Sequence, residues 1–202
     1  MPAKSWNPQP FLQALSRRAT IGISLAAVAV LAVIFRVWGA LVTDDSLGII
    51  RSQVTFTAER FDAVVGTWNI AEFIRLTATI DFIFPVAYAA VIAGVWARAA
   101  GPDQWARFSW PVTVAFGAAA ADWLENVLHL IAIEPTISGG TSIGVAVALG
   151  SVFAVVKWIG IVIALTAAAV AAWKRGGPKW RAIGVVLAGL AGAVAGVVAS
   201  LI

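Results

Sequence analysis

The sequence predicts an all-α integral membrane protein, and its composition, its apolar runs and the placement of its basic residues each support that class. Of its 202 residues, 61% are hydrophobic and 12% are charged, whereas a soluble domain has about 45–50% apolar and about 25% charged residues. The mean hydropathy is +0.92. These departures favour a chain whose outer surface contacts lipid.

Five apolar segments are long enough to cross a bilayer, since its hydrocarbon core of about 30 Å needs about 20 helical residues. They form one transmembrane domain over residues 1–202, with spans at about 19–42, 70–97, 111–133, 142–173 and 179–202. Asn69 followed by Glu72 is a capping-box pattern that begins the second span. No small-residue cleavage region follows the first run, so we expect it to be retained rather than removed as a signal peptide.

The basic residues predict the orientation. They cluster before the first span, between the second and third, and between the fourth and fifth: Lys4, Arg17, Arg18, Arg98, Arg107, Lys174, Arg175, Lys179 and Arg181. Basic loops remain cytoplasmic, which predicts a cytoplasmic N-terminus and an outer C-terminus. Because the basic residues form no single patch, a nucleic-acid partner is not expected despite the pI of about 10.1. Abundant Ala, Gly and Val with few Lys favours a bacterial source, and thus the inner membrane.

The first outer loop contains a short amphipathic segment at about 57–68. Phe61, Val64, Val65 and Trp68 follow helical spacing, which predicts an interfacial helix that lies over the bundle or anchors in the headgroups.

The fifth span is rich in glycine, including Gly189, Gly192 and Gly196. Small residues allow helices to approach closely in lipid. This span could pack on its own bundle or form a homo-oligomer or complex interface, besides the contacts with membrane lipids expected of every span.

Polar residues inside the spans define the candidate site. The third span places Asp122, Glu125, Asn126 and His129 within an arc of roughly 100°. The second span places Asp81 and Tyr88 on one side, with Pro85 freeing the carbonyl group of Asp81. Ionisable groups in a membrane cost about 2.5–3.5 kcal/mol each, so they need partners or a function.

Further candidates come from the other spans. The fourth carries Lys157 near mid-depth, and the predicted pocket also includes Arg36, Arg75, Trp123 and Trp158. Asp122, Glu125 and His129 are the acid–base candidates. A metal site at Asp81, Asp122, Glu125 and His129 is a less favoured alternative, because nearby cations would oppose the metal's charge. Gly139–Gly140 predicts a turn rather than a phosphate loop, and we expect no cofactor.

Two motifs carry a resemblance. Asp81-x-x-Phe-Pro-x-x-Tyr88 and Asp122-x-x-Glu-Asn126 resemble those of a group of small bacterial multi-spanning membrane proteins of uncharacterised function. An amphipathic segment before a helix with an acid, a Phe and a Pro is also similar to EXPERA-type bundles, which handle sterol-like molecules. That second resemblance implies a lipophilic ligand.

The sequence therefore supports three hypotheses. The first is a polar pocket between the second, third and fourth spans that binds, and could transform, a lipophilic or amphipathic small molecule. The second is a structural or assembly subunit whose buried charges form helix–helix ion pairs. The third is proton-coupled transport.

Overall fold

The computed structural model describes residues 9–45, 47–105 and 109–199, and these residues fold almost entirely into helices. In chain order the helices are α1 Gln9–Leu15, α2 Arg18–Val42, α3 Gly48–Ser52, α4 Ala58–Val65, α5 Ile70–Ala100, α6 Pro102–Trp105, α7 Trp110–Ile133, α8 Gly144–Arg175 and α9 Pro178–Ala199, with a 3₁₀ turn at Glu134–Ser138. Lys4 and Arg107 of the predicted cytoplasmic loops, and the predicted end of the fifth span at 200–202, lie outside these residues.

Each predicted span corresponds to a long helix, but only four of these helices meet a membrane-spanning criterion of length and hydropathy. These are α2, α5, α8 and α9, which make the chain a multi-pass membrane protein. The 24-residue helix α7 occupies the position of the third predicted span and is not among the four. Its polar residues at positions 122, 125, 126 and 129 lower its mean hydropathy, and the five-span count stays a prediction.

Helices α5, α7 and α8 pack against one another and form the centre of the fold, while α2 packs on α5 and α9 packs on α8. Glycines permit the closest approaches. A Cβ atom at Gly160 of α8 would lie 3.0 Å from the Cβ atom of Ala118 in α7. At Gly184 of α9 it would lie 3.1 Å from the carbonyl oxygen of Ala169 in α8. Small residues thus set the helix spacing, as is usual in membranes.

The segment between α2 and α5, predicted as the first outer loop, packs into the bundle. Its predicted amphipathic segment forms α4, which begins after the N-cap Thr57 and buries Phe61 and Val65 completely or nearly so. The stretch before α4 is also buried at Ser52, Gln53 and Thr55. The prediction of a helix at 57–68 is confirmed for Ala58–Val65, but the loop penetrates between helices and does not simply cover them.

The glycines of α9 divide into two groups. Gly184 faces α8, and Leu187 and Ala191 are buried beside it. A Cβ atom at Gly189, Gly192 or Gly196 would have no neighbour within 4 Å. These three glycines therefore do not contribute to the packing of α9 on its own bundle. A role for Gly189, Gly192 and Gly196 in an oligomer stays a prediction.

The contact between Gly150 and His129 gives a test of this packing. A Cβ atom at Gly150 would lie 2.9 Å from two atoms of the His129 ring, and that ring is buried and stacked on Phe61 with centroids 5.4 Å apart. We expect Gly150→Ala to lower the free energy of unfolding by about 1–3 kcal/mol, the usual cost of overpacking. Thermal unfolding in detergent measures this.

The matched control is Gly117→Ala, because a Cβ atom at Gly117 in α7 would have no neighbour within 4 Å. If the two substitutions lowered the free energy of unfolding equally, the close contact between Gly150 and the His129 ring would be contradicted.

Candidate functional site

A buried ammonium group lies at the centre of the bundle. Lys157 of α8 places its Nζ atom 3.1 Å from Oδ1 of Asp122 and 2.5 Å from Oε2 of Glu125, both on α7. The three side chains are almost completely buried. Counting from the predicted outer ends of their helices, Asp122 and Lys157 lie about 16–20 Å deep. A charge pair at that depth joins α7 to α8.

Two further side chains complete the hydrogen bonds of this centre. Tyr88 of α5 donates its hydroxyl proton to Oδ2 of Asp122 over 3.1 Å. Gln53, which follows α3, accepts hydrogen bonds at Oε1 from Lys157 Nζ at 3.3 Å and from the Trp158 indole at 3.2 Å. Gln53 was not among the predicted site residues, because nothing in its local pattern shows that the segment between α2 and α5 enters the bundle.

The proline in α5 explains the position of Asn126. Pro85 has no N–H group for the carbonyl four residues earlier, which belongs to Asp81. Asn126 of α7 donates its Nδ2 hydrogen to that carbonyl over 3.1 Å. The Trp123 indole donates to the next carbonyl, that of Phe82, over 2.8 Å. Two α7 side chains therefore bind the α5 backbone where proline interrupts its own hydrogen bonds.

His129 lies behind this centre, towards α4. Its Nδ1 atom is 3.8 Å from Oε1 of Glu125, and its Nε2 atom has no hydrogen-bond partner among the described residues. The ring is confined between Phe61 and Gly150. It fills space between α4, α7 and α8.

A cavity of about 340 Å³ opens beside the buried ammonium group. Helix α2 and the segment between α2 and α5 form one wall, and α5, α7 and α8 form the other. Its apolar lining residues are Ala32, Phe35, Gly39, Ile49, Ile50, Phe84, Trp158 and Ile161, and its polar ones are Arg36, Thr43, Asp45, Gln53, Asp81, Tyr88, Asp122 and Lys157. The volume falls in the range of about 300–1,000 Å³ typical of small-molecule sites.

The predicted site residues fall into three groups. Those that line the cavity are Arg36, Asp81, Tyr88, Asp122, Lys157 and Trp158. Glu125, Asn126 and His129 lie behind its wall and are 0–3% exposed. Arg75 and Trp123 do not line the cavity. From α2 the predicted pocket included only Arg36, and from the segment between α2 and α5 it included no residue, although both line the cavity.

Arg75 and Trp123 require correction. Arg75 points away from the cavity and pairs at 2.6 Å with Glu72, one turn earlier on α5, with its side chain 67% exposed. Trp123 is 40% exposed on the outside of α7 and uses its indole to hold the Phe82 carbonyl. Both residues were assigned to the pocket from their predicted depth in the membrane, and depth does not specify which side of a helix a residue faces.

The alternative metal site is also wrong. Among residues 9–45, 47–105 and 109–199 no group of three or more His, Cys, Asp or Glu side chains could hold a metal ion. The Lys157 ammonium group occupies the position between the carboxylates of Asp122 and Glu125 where a cation would bind. His129 faces Phe61 instead of Asp81.

The carboxylate of Asp81 differs from the other acids. It lines the cavity on a residue that is 9% exposed, yet within the described part of the chain it has no hydrogen-bond or ion-pair partner, and only its backbone carbonyl is bonded. The interior therefore holds three carboxyl groups, at positions 81, 122 and 125, against one ammonium group. Asp81 is the group that a bound molecule could satisfy.

Comparison with protein-family models, with curated proteins and with solved structures finds no match for this chain.

Replacing the buried cation tests its structural role. We expect Lys157→Met to lower stability by about 3–5 kcal/mol, because the carboxylates of Asp122 and Glu125 would then face each other in a dry interior without a counter-charge. Thermal unfolding of the purified protein in detergent measures the effect.

A triple variant provides the control, with Lys157→Met combined with Asp122→Asn and Glu125→Gln. Removing all three charges should restore much of the lost stability. A triple variant as unstable as Lys157→Met alone would show that packing, and not charge, determines the cost.

Proposed function

We propose that this protein binds a lipophilic or amphipathic small molecule in the cavity beside Lys157. The observation that carries the proposal is the carboxylate of Asp81, which has no hydrogen-bond or ion-pair partner among the described residues and lines a cavity that also has eight apolar lining residues. Ionisable groups at membrane depth usually indicate a functional site. A largely apolar cavity with a few convergent polar groups is the usual form of a small-molecule site.

The polar groups suggest which end of the ligand binds at depth. Both oxygens of Asp122 are engaged by Lys157 and Tyr88, which leaves Asp81 as the free acceptor. A head group that donates hydrogen bonds, an amine or a hydroxyl group, would satisfy it. Phe35, Phe84 and Ile161 would contact the apolar body of the molecule. The resemblance to EXPERA-type bundles points to the same class of ligand.

The proposed topology includes α7 as a fifth span. Its outward face exposes Leu124, Val127 and Ile131 at 41–48%, as a lipid-facing surface would, and its length of 24 residues is sufficient. With the basic ends of α5, α8 and α9 in the cytoplasm of a bacterial cell, the N-terminus is cytoplasmic and the C-terminus is outside. The cavity then opens near Thr43 and Asp45 at the outer surface.

Acid–base chemistry on the ligand would depend on Asp122. It is the one member of the trio Asp122, Glu125 and His129 that lines the cavity, and it already accepts from two donors. We therefore propose binding as the function. A proton pathway has less support, because on the inner side of the cavity the described core is built from apolar residues such as Ile92, Ala93, Ala115 and Ala168.

Single cysteines test the topology, since the chain contains none. Asp103 and Ile137 are exposed on the loops before and after α7. We expect Ile137→Cys to react with a membrane-impermeant maleimide added to intact cells, and Asp103→Cys to react only after the cells are opened. Labelling of both positions from the same side would show that α7 does not cross the membrane.

Two substitutions test the ligand site. Asp81→Asn removes the proposed anionic acceptor, and Ala32→Trp fills the cavity from α2, where Ala32 is exposed and lines the cavity. We expect native mass spectrometry of wild-type protein to show a small-molecule adduct, and both variants to lose most of it. The two variants act in independent ways, because Asp81→Asn removes a charge that the ligand would contact and Ala32→Trp removes the space that the ligand would occupy.

The control is Val33→Trp, which adds the same bulk one residue further along α2 at a position that is 63% exposed and does not line the cavity. It should keep the adduct. An adduct that survives both Asp81→Asn and Ala32→Trp, or no adduct on wild-type protein from native membranes, would support the assembly hypothesis, in which the buried charges serve only to join helices.

A further inference from the structure

A second cavity, of about 770 Å³, lies at the opposite end of the bundle. The ends of α5 and α8, the beginning of α7 and the short α6 form its walls. Its lining residues are Trp96, Ala99, Ala100, Gln104, Trp110, Pro111, Val162, Ile163, Thr166, Ala167, Val170, Ala171, Lys174 and Arg175. We call this cavity the basic groove. None of its residues lines the cavity beside Lys157.

The charges of the basic groove have one sign. Lys174 and Arg175 line it, and no acidic residue does. Arg175 is held in place: its guanidinium donates to the carbonyl groups of Arg98 and Ala99 and lies 4.8 Å from the centre of the Trp180 ring. Lys174 is exposed and has no ion-pair partner in the described part of the chain. An anion at the rim would therefore meet one fixed and one free cation.

The apolar wall extends from this basic rim into the bundle. Val170, Thr166 and Val162 follow Lys174 back along one face of α8 at steps of four residues, with Ile163 next to Val162. The twelve helical steps from Lys174 to Val162 span about 18 Å, slightly more than half of a hydrocarbon core of about 30 Å. That depth corresponds to one leaflet. The exposed side chains of Ile163 and Val170 place this face in contact with lipid.

We propose that the basic groove binds an anionic phospholipid. The phosphate group lies between Lys174 and Arg175, and one acyl chain lies along α8 from Val170 to Val162, with Trp110 at the rim. Basic pockets between transmembrane helices on the cytoplasmic side are the usual form of such sites. A soluble anion would satisfy the two cations but not the apolar wall, and a zwitterionic lipid would satisfy the wall but bring a third positive charge to the rim.

Native mass spectrometry with matched lipids tests this proposal. The full chain is equilibrated with equal amounts of phosphatidylglycerol and phosphatidylcholine of the same acyl composition. We expect preferential retention of phosphatidylglycerol. Lys174→Gln should reduce that retention about fivefold, the equivalent of about 1 kcal/mol for one lysine near a lipid surface. Val170→Trp, which fills the groove below the rim without changing charge, should also reduce it.

Lys179→Gln is the matched control, because Lys179 is an exposed basic residue two residues after Gly177 at the same end of the bundle and does not line the groove. It should leave retention unchanged. Equal retention of the two lipids, or equal losses in Lys174→Gln and Lys179→Gln, would overturn the proposal in favour of diffuse attraction. Displacement of the lipid by millimolar inorganic phosphate would overturn it in favour of a simple anion site. None of these outcomes depends on the ligand of the first cavity.

Discussion

The structure depends on one interaction, the contact of the Lys157 ammonium group with the carboxylates of Asp122 and Glu125. In a membrane interior an isolated charge is costly, so α7 can bury its acidic face only where α8 presents this lysine. The contact therefore selects the rotation of both helices. Tyr88 of α5 donates a hydrogen bond to Asp122 and so joins α5 to the same contact, and Gln53, from the segment between α2 and α5, accepts a further hydrogen bond from Lys157.

The positions of the long helices could be predicted from the sequence, because each coincides with a long apolar run. The residue spacing on α7 correctly placed Glu125, Asn126 and His129 on the inner face with Asp122, and the proline at 85 correctly indicated a free carbonyl at Asp81, which Asn126 binds. These features follow from helical geometry. Helical geometry could not specify which helices line the cavity beside Lys157, since that depends on packing between distant parts of the chain.

The errors have the same origin. Arg75 was placed in the pocket by its depth, but Glu72, three residues earlier, offers it a partner at the surface. Trp123 follows Asp122 directly, so about 100° of helix rotation turns it towards the outside of the bundle. Gln53 was missed because the loop enters the bundle through long-range contacts, such as the hydrogen bond from the Phe56 amide to the Ser151 hydroxyl group at 3.1 Å. Local sequence contains no record of such partners.

The bond between Asn126 and the Asp81 carbonyl also affects how the chain enters the membrane. During synthesis α5 is made before α7. At that stage the carbonyl group of Asp81, which Pro85 leaves without its helical hydrogen bond, and the carboxyl group of Asp81 both lack a partner. If α5 entered the bilayer alone, both groups would be exposed to hydrocarbon. The hydrogen bond from Asn126 satisfies that carbonyl, so pairing with α7 lowers the cost of keeping α5 in lipid.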